Sequence, residues 1–308
     1  MNLCIFTVFS LFLVYGIKPI LSSHRQSFLR FFKTKILTCN CSFSELTSHT
    51  TKEISSALEP EQLDRLITAL KGKFDFTTVK EFTVEAGRAD SITREKLEVL
   101  YRHRVSRISV NPQTMKQETL DIIGRKASVE QVLTAYRLAR EVGFDNINMD
   151  LILGLPGELE ADVQRTIERI VELAPDSLTV HSLAIKRASR LNQWIQENGV
   201  SMLHNTDETM KIAAGAEKLG MKPYYLYRQK NMSGNFENTG YARPGKYGLY
   251  NILIMEEKQT IVALGAGSIT KRVFPDGRIE RCDNVKDVGL YIEKIDEMIE
   301  RKKELFAE

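Results

Sequence analysis

An α/β fold built on a parallel sheet is predicted by three observations. From Leu58 onward, short apolar runs alternate with amphipathic stretches of 10 to 15 residues, which is the signature of βαβ units whose crossovers are right-handed. Helix punctuation falls between those runs, notably Ser128 before one amphipathic stretch and Gly143 after it. Polar residues that could carry chemistry (Glu85, Gln113, Arg125 and Asp150) fall at predicted strand ends or just beyond. Carboxyl ends of parallel strands are where such folds gather their functional groups.

The elements follow in order. Residues 59–74 carry Leu63, Leu66, Ile67 and Leu70 at helical spacing, and Phe82 to Val84 is a short strand running into Glu85. Thr93 can cap a helix holding Leu97, Val99 and Leu100; Arg107 to Asn111 then alternates as a strand, and 128–142 returns as an amphipathic helix. A strand over 146–153, a helix over 158–173 and a strand over 177–183 continue the pattern. Helices at 189–198 and 207–219 precede a strand at 224–227, and 288–306 reads as one charged helix with an apolar face. The stretch VALGAGS (262–268) lacks the helix and lysine of a nucleotide loop and reads as a tight turn between strands.

Each strand-end residue has a chemical reason to be singled out. Asp150 sits between Met149 and Leu151 in an apolar strand, where an unpaired carboxylate is costly; a hydrogen-bonded structural aspartate is the alternative. Gln113 follows Pro112, which fixes the backbone ahead of it. Glu85 precedes Ala86 and Gly87, and an ion pair to Arg88 or Arg107 competes with a binding role. Gly154, Pro156 and Gly157 form a stiff loop after the Asp150 strand.

Bulk properties exclude some classes. A net charge of +3 in 308 residues is too mild for a nucleic-acid interface. Four cysteines, Cys4, Cys39, Cys41 and Cys282, are too few and scattered for a disulfide framework, which points to a reducing, cytoplasmic setting. Residues 1–56 differ from the rest. The apolar run Cys4 to Ile17 is shorter than the roughly 20 residues that span a bilayer, and its basic residues follow the apolar run where a signal peptide has them first. Residues 18–55 show no sustained period, so no element is expected there. No membrane association and no oligomeric state can be read from the sequence.

The motifs EFTVEAGRAD, RISVNPQTM, IGRKAS, FDNINMDLILGLPGE and LTVHSLAIKRAS, with the continuation from PYYLYRQK to GAGSITK, resemble in order and spacing the radical S-adenosylmethionine (SAM) enzymes of the oxygen-independent coproporphyrinogen III oxidase group, most closely its coproporphyrinogen dehydrogenase branch. The resemblance implies an incomplete (βα)6 TIM-like barrel over 57–228 and a smaller α+β region over 229–308. It implies that Glu85 and Arg125 meet the amino-acid moiety of SAM and that Gln113 and Asp150 meet its ribose, with Gly154 to Pro156 approaching the adenine. The implied reaction is oxidative decarboxylation of coproporphyrinogen III to protoporphyrinogen IX, in heme biosynthesis. A substrate with four carboxylates around an apolar macrocycle suits Lys186, Arg187, Tyr225, Tyr227, Arg228 and Lys230, although for any one of them a packed tyrosine or a solvated cation is the preferred explanation.

One feature departs from the family. Its [4Fe-4S] cluster rests on CxxxCxxC, which is absent from this sequence, as is the glycine-rich stretch expected before Leu58. No metal ligand is therefore identifiable. The sequence leaves two readings open: an enzyme of the coproporphyrinogen dehydrogenase family, or an inactive relative retaining SAM, porphyrin or heme binding.

Overall fold

A computed structural model describes residues 4–8, 46–50, 58–77, 79–183, 190–199, 206–227 and 237–307. The chain divides into two compact units, one comprising Met1–Glu85, Glu95–Ser106 and Leu249–Glu308, the other Ala86–Arg94 and Arg107–Gly248.

The first unit holds β1 (Cys4–Val8), β2 (Leu46–Thr50) and most of β3 (Val79–Gly87), then β9 (Thr260–Leu264), β10 (Ile269–Val273) and β11 (Ile279–Asp283). β9, β1, β2 and β3 lie side by side in parallel, while β10 and β11 extend the β9 edge antiparallel. The strand at Leu46–Thr50 corrects the expectation of no element over residues 18–55, and a further strand lies at Cys4–Val8. Sheet pairing supplies what the sequence of LTSHT does not, because a short strand between two neighbours is set by their ladders rather than by its own period.

Helix α1 (Pro60–Lys71) buries Leu63, Ile67 and Leu70, and its start is fixed by Pro60 and by the Glu59 N–H donating to Gln62 Oε1 at 3.0 Å. Helix α2 (Arg94–Arg102) buries Leu97, Val99 and Leu100. Along β3, Glu81 and Thr83 share one face, where the Thr83 hydroxyl donates to Glu81 Oε1 at 2.9 Å and the Leu249 N–H donates to Oε2 at 2.6 Å. The first three residues of VALGAGS end β9, and its remaining four, 265–268, make the turn to β10. Gly265 (φ 104°) and Gly267 (φ 71°) adopt left-handed backbone there, and Gly265 O accepts from Ser268 Oγ and Asn284 Nδ2, each at 2.8 Å. The charged C-terminal stretch forms two helices, Val288–Glu293 and Ile295–Phe306, meeting at Lys294. The break arises because Tyr291 is buried with its hydroxyl accepting from the Gly265 N–H at 3.1 Å, while the next helix buries Met298 and Ile299 on its own axis.

The second unit contains β4 (Arg107–Val110), β5 (Ile147–Leu153), β6 (Ser177–Ser182), β7 (Lys222–Tyr227) and β8 (Asn238–Ala242), ordered β4-β5-β6-β8-β7. The first three run parallel, and β8 then pairs antiparallel with both β6 and β7. Helices α4 (Val129–Val142) and α5 (Glu160–Leu173) follow β4 and β5, with a short α3 (Gln117–Ile122) between β4 and α4. Six residues are too few for α3 to announce itself by periodicity. Helix α4 is bounded as its sequence predicts: Ser128 Oγ accepts from the Gln131 N–H at 3.2 Å, and Gly143 closes it at φ 115°.

One face of this sheet is apolar. Ile108, Val110, Ile147, Met149, Leu151, Leu178 and Val180 are buried there, as are Val132, Leu133, Ala139, Val163, Ile167 and Ile170 from α4 and α5. At the amino ends of β5 and β6, buried Asp176 accepts from the Ile147 N–H at 2.8 Å and pairs with Arg140 at 2.8 Å and Arg243 at 3.8 Å. Among the described residues no helix is long and apolar enough to cross a membrane.

Candidate functional site

The opposite face of the second unit's sheet is polar, because every second residue of its apolar-looking strands is hydrophilic. On β4 these are Arg107 and Ser109, continued by Asn111; on β5, Asn148 and Asp150; on β6, Ser177, Thr179 and His181. Strand register brings them level, with Ser109 beside Asn148, Asn148 beside Ser177 and Asp150 beside Thr179.

Hydrogen bonds connect them in one direction. Buried Arg107 donates through Nη2 to Ser177 Oγ at 3.1 Å, and Ser177 donates to Asn148 Oδ1 at 2.9 Å. Thr179 donates to the same oxygen at 3.3 Å. With its oxygen so occupied, Asn148 turns Nδ2 to Asp150 Oδ1 at 2.8 Å. The other Asp150 oxygen lies 3.9 Å from His181 Nε2, beyond hydrogen-bond range. A carboxylate offers about four acceptor positions, so Asp150 retains capacity for further donors.

Gln113 is held against β5 by backbone alone: its N–H donates to Asp150 O and its own carbonyl accepts from the Ile152 N–H, both at 2.9 Å. Its φ of 68° is left-handed, a conformation that costs a non-glycine residue about 1–2 kcal/mol. The side chain is 3% exposed and its Nε2 has no hydrogen-bond partner among the described residues. Two positions earlier, Asn111 is 8% exposed, and both its amide nitrogen and its amide oxygen lack partners. Burying such atoms unmet costs about 1–3 kcal/mol each, so three of them on a segment bonded to the Asp150 backbone mark a place suited to a polar ligand.

The loops that flank Asp150 and Gln113 are tied together. The Thr114 hydroxyl donates to buried Glu158 Oε1 at 2.5 Å, and Lys116 Nζ donates to Gly157 O at 2.8 Å and to Asp162 at 3.0 Å. Burial pushes the Glu158 carboxyl above its ordinary value. Gly154 (φ 76°) and Gly157 (φ 74°) turn the chain between these anchors.

Tyr225 borders the polar face. Its hydroxyl hydrogen-bonds the Thr179 side chain, and burial, then the neighbouring Tyr224, push its ionisation well above the ordinary range. Gly240, paired with both Thr179 and Tyr225, makes this possible: a Cβ there would stand 1.9 Å from the Tyr225 ring. Gly240→Ala is therefore expected to lower stability by about 1–3 kcal/mol through overpacking, read as a lower denaturation midpoint. An unchanged midpoint would mean the ring is not held across β8.

The remaining candidates are placed as follows. Glu85 is half-buried and lies in the first unit, whereas Gln113, Arg125 and Asp150 lie in the second. Arg125 follows Gly124 (φ 71°) at the end of α3, its N–H donating to Leu120 O at 2.8 Å. Arg88 pairs with Asp90 at 2.5 Å, and Arg107 bonds Ser177. Tyr227 is exposed at the end of β7. Lys186, Arg187, Arg228 and Lys230 lie outside the described residues, as do Cys39 and Cys41. Cys282 is buried, and among the described residues no group of three or more His, Cys, Asp or Glu could hold a metal ion.

Asn111, Asn148 and Thr179 were not singled out by sequence reasoning. The available signal was polar residues two apart in otherwise apolar strands, in RISVN and INMDL.

Comparison with known proteins agrees with this architecture. Residues 56–170 match the model of the radical SAM superfamily. The oxygen-independent coproporphyrinogen-III oxidase-like protein HemZ of Bacillus subtilis is 42% identical over 250 residues, 80% of this chain and 50% of that protein. The heme chaperone HemW of Lactococcus lactis is 28% identical over 214 residues, 69% of this chain and 53% of that protein. This chain thus spans about half the length of these curated relatives. The structure of coproporphyrinogen III oxidase (HemN) from Escherichia coli, a radical SAM enzyme, superimposes with a TM-score of 0.65 at 18% identity, over 97% of this chain and 70% of that one. The fold is the mixed α/β, TIM-like radical SAM fold, with a small antiparallel sheet at the C-terminus.

Proposed function

Because the chain carries a radical SAM domain and has coproporphyrinogen III oxidase-like homologues, we propose that it binds S-adenosylmethionine on the polar face of its second unit and serves tetrapyrrole chemistry, with a porphyrinogen as its small-molecule partner. The observation that carries this reading is the set of unmet buried amide atoms on Asn111 and Gln113, in the segment whose backbone is bonded to Asp150. In this proposal Gln113 and Asp150 hold the ribose, since an amide and a carboxylate together satisfy hydroxyls that both donate and accept. Arg125 meets the carboxylate of the amino-acid end through a charge-assisted bond, and the family resemblance assigns Glu85 to its ammonium. Lys186, Arg187, Tyr227, Arg228 and Lys230 are the proposed contacts for the carboxylates and rings of the porphyrinogen.

SAM supplies radical chemistry to this superfamily when a [4Fe-4S] cluster stands beside it. The cluster does not fit the residues present: the sequence has four cysteines and no CxxxCxxC among them, and Cys282 is buried. That mismatch supports a second reading, in which this chain binds SAM or a porphyrin without turning over.

A single assay separates the two. The full chain is reconstituted anaerobically with iron and sulfide, and 5'-deoxyadenosine is measured after adding dithionite and SAM. None above a no-protein control is expected; its formation would reinstate the oxidative decarboxylation of coproporphyrinogen III as the working activity. Calorimetry on the same sample tests SAM binding itself; its absence would sink the first reading and leave the second with porphyrin binding alone.

A further inference from the structure

The proposed pocket contains one residue to which neither the family resemblance nor the comparisons give a role. Asn111 continues the polar-face parity of Arg107 and Ser109 on β4, and it lies between the Ser109–Asn148 pairing and the Gln113–Leu151 bridge that hold this segment along β5. It is 8% exposed with both amide atoms unmet, and it stands two positions before Gln113, whose Nε2 is also buried and unmet.

The inventory of donors and acceptors narrows what would satisfy it. Asp150 accepts only, and one of its oxygens already takes the Asn148 N–H. A vicinal diol brings two O–H donors, for which Asp150 has acceptor positions, together with oxygen lone pairs that need donors. The unmet donors on the adjoining segment are Gln113 Nε2 and Asn111 Nδ2, and Asn111 Oδ1 adds an acceptor. One carboxylate with two primary amides is thus the hydrogen-bonding complement of a vicinal diol. A lone hydroxyl or a carboxylate would leave one amide or the carboxylate oxygen unused.

We propose that Asn111 is a specificity-determining residue that reads the ribose hydroxyls jointly with Gln113 and Asp150, so that the site selects ribonucleosides over deoxyribonucleosides. This rests on the SAM-binding reading above, and the experiment is built to separate the two.

S-Adenosylhomocysteine and its 2'-deoxy and 3'-deoxy counterparts are titrated calorimetrically into the full chain, into Asn111→Ala and Asn111→Asp, and into Asp150→Ala. The wild type should lose about tenfold in affinity or more for each missing hydroxyl that a buried polar group would otherwise meet. Asn111→Ala should weaken the ribose ligand about tenfold, and that loss should disappear on one of the two deoxy ligands, as expected of a direct partner. Asn111→Asp replaces the donor with an acceptor at nearly constant shape, so it should weaken the ribose ligand at least as much; it carries the test if the alanine variant does not fold. Equal weakening of all three ligands by both variants, or no weakening, overturns the assignment. A loss on Asp150→Ala with none at Asn111 removes Asn111 alone. No binding of S-adenosylhomocysteine by the wild type, or no loss on any variant, removes the pocket reading and this inference with it.

Discussion

Replacing Asp150 with alanine is expected to weaken S-adenosylmethionine binding by about 30- to 100-fold. Hydrogen bonds to a charged group contribute about 1.5–3 kcal/mol each, and each 1.4 kcal/mol is a factor of ten in affinity. The substitution also strands Asn148 Nδ2, which donates to Asp150 Oδ1 at 2.8 Å, and that loosens the neighbouring hydroxyl partners Ser177 and Thr179. Asp150→Asn keeps the shape but not the charge and should fall between alanine and wild type. Calorimetric titration of the three proteins decides the matter, and equal affinities would take Asp150 out of the site.

The second large effect concerns stability. Asp176 is 5% exposed and pairs with Arg140 at 2.8 Å while accepting the Ile147 N–H at 2.8 Å; Arg243 stands at 3.8 Å. Removing one partner of a buried ion pair leaves an uncompensated charge and costs about 3–5 kcal/mol. Here the Tyr136 hydroxyl and the Phe144 and Ala174 carbonyls still hold Arg140, so the lower end of that range applies. Asp176→Ala should therefore lower the melting temperature by about 10 °C in a chain of this size, with Asp176→Asn intermediate because it retains an oxygen for Ile147. A fall of less than about 2 °C in thermal unfolding followed by circular dichroism would show that solvent meets the stranded groups.

Legibility in the sequence tracks how local the cause is. The bounds of α4 were readable because Ser128 and Gly143 act on their own helix, and Asp150 stood out because a carboxylate between Met149 and Leu151 is conspicuous wherever the strand lies. Asn111 was not readable. Its meaning depends on the end of β4 lying along the Asp150 strand, a pairing of segments distant in the chain, and single-sequence periodicity carries no register. Tyr225 was grouped with porphyrinogen contacts on residue type, yet it bonds Thr179 over Gly240, a contact decided by a side chain that glycine does not have. The strands at Cys4–Val8 and Leu46–Thr50 were hidden for a similar reason, their pairing being with each other and with β9 and β3.

The hydrogen bonds from Arg107 through Ser177 and Asn148 to Asp150 all point the same way, each donor facing the carboxylate. Three aligned dipoles with a cation at one end and an anion at the other behave as a polarised wire, each link strengthening the next. Neutralising Asp150 removes the terminus that sets the direction, and an amide such as Asn148 is then free to rotate end for end. Arg107 bonds Ser177, two links before Asp150. Through this wire it helps to decide how much negative charge a ligand at Asp150 would meet.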